Sequence, residues 1–309
     1  MSSRHSTAAT EPMLCKLVPE LPEGPEWEYE IKWDGYRMIG EKSPRGARLT
    51  SRNDKILTRS FPGVAEGLAE LKCISATVDG EVVALNEEGR PDFQLLQSHR
   101  SKTPELRFML FDLLILNGQD LTEFPLEARR QALQKILPKS SDVIGFSREL
   151  HGSVASLMQQ ARELGLEGIV AKARDSHYEA GERSGMWLKW KAERKDEFIV
   201  GGYVPNGRSF DELIIGQRSG RKLKYVSSVR AGFTPVQKAR VMDSIRHLVM
   251  PACPFSDLPE TGPSRWGRSL DEEKMLECRW VKPRTKVEIA FVEWTAGHKL
   301  RHSRFLKLL

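Results

Sequence analysis

The stretch Glu30-Ile31-Lys32-Trp33-Asp34-Gly35-Tyr36-Arg37 (EIKWDGYR) closes an alternating run that begins near Glu26. By alternation Trp27, Tyr29, Ile31 and Trp33 point to one side of a strand, and Glu28, Glu30, Lys32 and Asp34 point to the other. The apolar side suits a core. The other side carries acid, acid, lysine and acid before Gly-Tyr-Arg, a pattern that an ordinary solvated face does not need. A fold that holds one lysine among carboxylates, next to an arginine, is a fold built around that lysine.

Working outward, strands and helices alternate through the first part of the chain. Strand-like runs are expected at Glu26–Trp33, Tyr36–Glu41, Ala47–Ser51, Thr77–Leu85, Leu106–Leu116, Val143–Phe146, Gly168–Ala173 and Met186–Lys191, with a hairpin turn at Ser43–Gly46. Helical periodicity predicts helices over Val64–Lys72, Phe93–Arg100, Leu126–Leu137 and Val154–Leu164, the last behind Ser153 as N-cap. This mixture predicts an α+β domain, residues 1–192, with 1–12 as a disordered lead-in. Near Ala192–Asp196 the character changes to short strands: Glu197–Tyr203, Leu213–Arg218, Leu223–Val229 and Lys286–Trp294, broken by one helix, Pro235–Leu248. Residues 193–309 therefore suit an all-β oligonucleotide-binding barrel, with Pro251–Ser269 as a long loop.

Composition narrows the function. The 309 residues carry a net charge of +6, and 39% are hydrophobic, enough for true cores. From Lys195 onward 21 Lys and Arg face 13 Asp and Glu, a net of +8, whereas the rest of the chain nets −2. The positive excess thus lies in the C-terminal third, which suggests a polyanion-facing module, although charge alone also allows a solvated basic surface. No apolar run approaches the ~20 residues of a membrane span, and the N-terminus has no secretory signal. Cys15, Cys73, Cys253 and Cys278 form no C-x-x-C pair, which argues against zinc and disulfides and fits a reducing cytoplasm.

The same i, i+2 arrangement recurs. Asp79 and Glu81 share a strand face, as do Lys189 and Lys191; Glu167 precedes a strand whose one face shows Gly168, Val170 and Lys172; Phe111 and Asp112 point to opposite faces. Alone, each has a bland explanation: an exposed strand edge for paired lysines, core packing for Phe111, a buried strand after a turn for Glu167–Lys172. Together they are what nucleotidyl transfer to a lysine needs. The attacking amine must be neutral, which from a pKa near ~10.4 costs about 4–5 kcal/mol at pH 7. Neighbouring positive charge lowers that cost, and Arg37, Lys189, Lys191 and Mg²⁺ are the candidates to supply it while holding the α-phosphate. Glu81 and Glu167 are candidates for the metal or a ribose hydroxyl, and Phe111 for stacking on a base.

Lys32-Trp-Asp-Gly-Tyr-Arg37, Ser51-Arg52, Asp79-Gly-Glu81, Phe111-Asp112, Glu167-Gly-Ile-Val-Ala-Lys172 and Trp187-Leu-Lys-Trp-Lys191 follow one another in the order found in ATP-dependent DNA ligases. The chain resembles that family from about Met13 to its end. It is most similar to the ligase domain of bacterial non-homologous end-joining ligases, which its FVEWTAGHKLRHSRFLKLL ending also resembles. The resemblance implies that Lys32 is adenylylated by ATP. It implies that Glu30, with Ile31 beside it, meets the adenine edge and that Phe111 stacks on the base. Arg37, Arg52 and Glu81 would hold ribose and the nick phosphate; Glu167, with Glu81, would serve Mg²⁺ or Mn²⁺; Lys189 and Lys191 would contact the α-phosphate. Asp34 would help to activate the 3′-hydroxyl, and Lys172 is a phosphate-side candidate or a strand-edge lysine.

Nicked duplex DNA is the implied partner, with a Ku-like end-binding protein allowed by the subfamily, and a cytoplasmic monomer is expected. The family's barrel domain ends in an R-x-D-K motif that orients pyrophosphate. Here Arg301, Arg304 and Lys307 stand near Leu309 without that setting, so adenylylation from ATP is the step it touches. Other readings are an RNA ligase or capping-type nucleotidyltransferase, which share the Lys-x-Asp-Gly core, and a DNA-binding accessory protein without catalysis.

Overall fold

The computed structural model describes residues 11–99, 104–260, 270–295 and 297–309. Two compact units divide the chain, one ending at Ala192 and the next starting at Glu193.

The strands of the first unit are β1 (Lys16–Leu17), β2 (Trp27–Ile31), β3 (Tyr36–Ser43), β4 (Gly46–Ser51), β5 (Ala76–Leu85), β6 (Glu105–Leu116), β7 (Gln119–Asp120), β8 (Ile144–Phe146), β9 (Gly168–Ala173) and β10 (Trp187–Lys191). One sheet runs in the order β4-β3-β5-β6-β7, with β8 added parallel to β6; the other runs β1-β10-β9-β2. The predicted hairpin turn lies at Ser43–Gly46, where the Ser43 hydroxyl accepts from the Arg45 amide at 3.2 Å. Phe108 crosses β3 and β5 at two positions that lack side chains. A Cβ on Gly40 or Gly80 would stand 2.9 or 2.6 Å from its fully buried ring. That slot helps to hold the register in which Arg37 faces Glu81.

Helices Pro62–Ala69 and Leu126–Ile136 cover one face of the first sheet with Leu68, Leu133 and Ile136. Helix Val154–Glu163 starts behind Ser153, whose hydroxyl accepts from the Ser156 amide, and packs Val154, Leu157 and Ala161 with Ile169 and Trp190 of the second sheet. A third apolar cluster joins the two sheets: Met13, Ile39, Phe111, Leu114, Tyr178 and Trp187. Met13 is fully buried and its amide donates to the Tyr178 hydroxyl at 3.0 Å. The expected lead-in is therefore ordered from Glu11 onward, and residues 1–10 lie outside the described ones. Strand β2 stops at Ile31 rather than Trp33, because the chain turns through Trp33–Gly35 to enter β3. The helix at Phe93 is described to Gln97, and Arg100 of the expected span lies outside the described residues.

In the second unit β11 (Arg194–Asn206), β12 (Ser209–Ser219) and β13 (Lys222–Val229) form an antiparallel meander. β14 (Val249–Met250) and β15 (Arg279–Val281) extend it beside one part of β11; β16 (Lys286–Phe291) pairs with the other part. β17 (Glu293–Trp294) and β18 (Leu300–Arg301) form a short hairpin before β19 (Arg304–Leu308), which pairs with β16. A bridge from Ala231, just past β13, to Arg304 completes a ring β13-β12-β11-β16-β19 around Phe198, Leu213, Ile215, Ile289 and Phe305. Such closure hides the sheet edges and gives an oligonucleotide-binding barrel. Helix Pro235–Ile245 opens with a Thr234–Gln237 capping box and buries Val241 and Ile245 in the same core. Of the expected loop Pro251–Ser269, residues 251–260 carry no helix or strand beyond an isolated Phe255 bridge, and 261–269 lie outside the described residues. Among the described residues no helix is long and apolar enough to cross a membrane.

Candidate active site

Lys32 sits one residue past β2, and its amide donates to the Gly168 carbonyl at 3.0 Å. The two motif glycines around it are demanded by close approach. A Cβ at Gly35 would collide with the Val82 carbonyl, and one at Gly168 with the Trp190 carbonyl. The lysine loop is thus pressed against β5 on one side and tied to β9 on the other.

The Lys32 amine is ion-paired with Glu167, whose second oxygen lies 3.4 Å from Lys191. Lys189 is half-buried; burial first, then the like charge of Lys32 and that of Lys191, lowers its pKa. Burial pushes the Glu81 carboxyl up to about 8, against the pull of Arg37 and Lys32. The group in contact with Lys32 is a carboxylate, and the cationic crowding acts on Lys189. Arg37 has its fork engaged elsewhere: Nε and Nη2 donate to the two Asp79 oxygens at 2.6 Å each, and Nη2 also donates to the Met13 carbonyl. Burial would lower the Arg37 pKa, but Asp79 outweighs it and raises that pKa well above the usual value. Asp79 is fully buried and also accepts from the Tyr178 hydroxyl at 2.6 Å.

Beside these groups a cleft of about 180 Å³ opens, and its far wall is aromatic. Gly80 pairs with Leu110 and Asp79 with Asp112, so Phe111 is the extra residue of a β-bulge. A bulge re-aims one side chain without breaking the sheet, and Phe111 lines the cleft. Its ring meets Trp187 edge-on at 6.2 Å, and the Arg37 guanidinium lies 4.6 Å from its centre. The Lys172 ammonium stands 4.2 Å from the Phe111 ring, 4.4 Å from the Trp187 ring and 2.5 Å from Glu30. Lys172 is therefore not a strand-edge residue. β9 is an inner strand, and the ammonium is buried at the Glu30–Phe111 end. Likewise the lysines of β10 are not on an edge, since β10 lies between β1 and β9.

The structure thus gathers Glu30, Ile31, Phe111 and Lys172 at one end of the cleft. Lys32, Arg37, Arg52, Glu81 and Lys189 line the remainder, and Glu167 and Lys191 join them through the Lys32 ion pair. Asp34 is in the turn after Lys32 and does not line the cleft. Beyond the expected residues, Cys15, Arg183 and Trp187 also line it. Behind it lie two buried arginines, Arg129 and Arg130. Arg129 donates to both oxygens of fully buried Asp112 at 2.8 Å. Among the described residues no three His, Cys, Asp or Glu side chains form a metal-holding group. Near the C-terminus Arg304 is paired with Glu193, and Lys307 lies 3.6 Å from Glu288.

Residues 12–191 match the family model of the ATP dependent DNA ligase domain, and residues 206–308 that of the ATP dependent DNA ligase C terminal region. The multifunctional non-homologous end joining protein LigD of Pseudomonas aeruginosa is 34% identical over 303 residues, which cover 95% of this chain and 34% of that protein. For the LigD end-joining DNA repair protein of Mycobacterium tuberculosis the figures are 31% over 285 residues, 90% and 35%. The chain spans about a third of the length of these relatives. Among solved structures, mycobacterial DNA ligase D complexed with ATP and MES is 27% identical, with a TM-score of 0.57 over 98% of this chain and 96% of that one. Two matched domains in sequence order, with the Lys32 cleft in the first, settle the family: this chain belongs to the ATP-dependent DNA ligases.

Proposed function

We propose that the chain seals nicks in duplex DNA through an AMP carried on Lys32. The observation that carries this is the position of the Lys32 amine, between a base-sized aromatic end of the cleft and a lysine pair. ATP would lie with its adenine on Phe111 and its exocyclic amine toward the Glu30 carboxylate. The Lys32 nitrogen then attacks the α-phosphorus, a P–N bond forms, and the bond to pyrophosphate breaks. Glu167, already hydrogen-bonded to that amine, is placed to take its proton. The 5′-phosphate of the nick next takes AMP from Lys32, and the 3′-hydroxyl attacks the 5′-phosphorus and expels AMP.

Each transfer brings anions together, so fixed positive charge is the main requirement. Lys189 and Lys191 would answer it at the α-phosphate and Arg52 at the ribose and nick phosphate, while Arg37, its charge met by Asp79, would brace the wall beside Phe111. Mg²⁺ is commonly held by one or two carboxylates and the substrate's own phosphates, so Glu167 and Glu81 would be its candidate ligands, Glu81 once it has lost the proton that burial favours. When bound, it would offset phosphate charge. The basic barrel would grip DNA backbone, which predicts a steep fall of binding with salt and little sequence preference. The end-joining names of the LigD relatives favour double-strand end joining as the setting, and a Ku-like end-binding protein would be the partner.

The test is incubation with Mg²⁺ and α-labelled ATP, followed by a denaturing gel. Wild type is expected to carry an acid-labile label that Lys32→Ala lacks. Equal labelling of both would remove Lys32 from this role.

A further inference from the structure

We propose that Arg130 is a positioning residue of the nucleotide site, one that fixes the base-recognising end of the cleft from behind. It lies on helix Leu126–Ile136, is 4% exposed and does not line the cleft. Its guanidinium nevertheless touches three of the segments that shape that end. Nε meets a Glu28 oxygen at 2.5 Å. Nη1 donates to Glu30 Oε1 and to the Phe111 carbonyl, both at 3.0 Å. Nη2 donates to the Ser147 carbonyl at 2.7 Å, and the plane lies over the Phe146 ring at 4.6 Å.

Each contact leads to the site. Glu30 Oε1 is shared between Arg130 and Lys172, so the carboxylate is held through one oxygen while it lines the cleft. Phe111 is the bulge residue, and a donor to its own carbonyl fixes the extra peptide that a bulge leaves outside the ladder. The Ser147 hydroxyl accepts from Trp33 Nε1 at 2.9 Å, and Trp33 directly follows Lys32. One planar fork thereby sets Glu30, Phe111 and the residue after Lys32 relative to one another. A lysine at this position could supply the charge but not the four directed contacts.

The proposal rests on the reading that Glu30 meets the exocyclic amine of adenine, and the test separates the two. Lys32 labelling is measured with ATP and with purine riboside triphosphate, which lacks that amine, for wild type and Arg130→Lys. Folding is checked by circular dichroism. The expected result is a rise of about ten- to a hundredfold in KM for ATP, with kcat much less affected and a clearly smaller rise in KM for the purine analogue, which keeps its stacking on Phe111 but has no amine to lose, so that selectivity falls. Should Arg130→Lys not fold, Glu28→Gln loosens the guanidinium from the side away from the cleft and must show the same selective loss at smaller size. Equal losses with both nucleotides, or unchanged selectivity in a folded variant, would overturn the positioning role. A wild type that does not distinguish the two nucleotides would instead overturn the Glu30 reading.

Discussion

At the Phe111 end of the cleft, buried charges are matched one for one. Glu28 and Glu30 face Arg130 and Lys172, and behind them Asp112 faces Arg129. At the Lys32 end Lys32 and Lys191 share Glu167, Lys189 feels the like charge of both, and burial raises the Glu81 pKa to about 8. One end is a closed set of ion pairs; the other keeps an excess of positive charge in a half-buried place. The first arrangement preserves a shape, and the second waits for an anion. Substitutions at the two ends should therefore fail in opposite ways.

The largest effect belongs to the Lys32 end. Lys189→Met is expected to cut labelling of Lys32 and sealing of nicks by about 10²–10³-fold, the size usual for losing one preorganised group that stabilises transition-state charge. Single-turnover sealing at saturating ATP measures it. A drop below about fivefold would mean that the α-phosphate charge is met elsewhere.

Behind the other end, at the Asp112–Arg129 pair, the damage should be to the fold. Asp112→Ala strands the Arg129 guanidinium, which is fully buried and whose remaining acceptors are the Phe124 and Ser176 carbonyls. Breaking a buried pair in this way costs about 3–5 kcal/mol. Urea unfolding followed by tryptophan fluorescence should show that loss, while KM for ATP in the folded protein changes little. A stable Asp112→Ala protein with a damaged KM would mean that this pair shapes the cleft rather than holding the fold.

This contrast was partly legible in the chain. The strand–helix order could be placed from spacing, because alternation leaves few choices for it, but alternation also carried the strand through Lys32 to Trp33, where the structure has the turn into β3. The two arginines could have been found as well. Leu126, Arg129, Arg130 and Leu133 fall at i, i+3, i+4 and i+7 of one helix, so both arginines stand in the buried stripe and each requires an acid. What spacing could not supply was which acid. Asp112, Glu28 and Glu30 come from strands far off in sequence, and β-pairing decides the match. The bulge at Phe111 was equally hidden, since alternation counts residues as if no extra one were inserted. The strands Arg279–Val281 and Arg304–Leu308 were missed because the first is three residues long and the second carries Arg and Lys among its apolar positions.

The smallest effect is the most diagnostic. Because burial and the like charge of Lys32 and Lys191 lower the Lys189 pKa below 10.5, the folded state binds its proton less well than the unfolded state does. Stability therefore rises with pH between the lowered folded value and 10.5, and the penalty for charging Lys189 is fully present below that window. Lys189→Met, so harmful to activity, should accordingly melt higher than wild type at pH 7. A gain of 1 kcal/mol corresponds to about 2–4 °C for a unit of this size. The gain should shrink as pH rises through the window and vanish above 10.5, where the lysine becomes neutral in both states. Differential scanning calorimetry of the two proteins side by side cancels every other titrating group. A gain that is the same at both ends of the range would assign it to burial of methylene groups, and one of opposite sign would mean that Lys189 is held by an opposite charge, as the groups at the Phe111 end are.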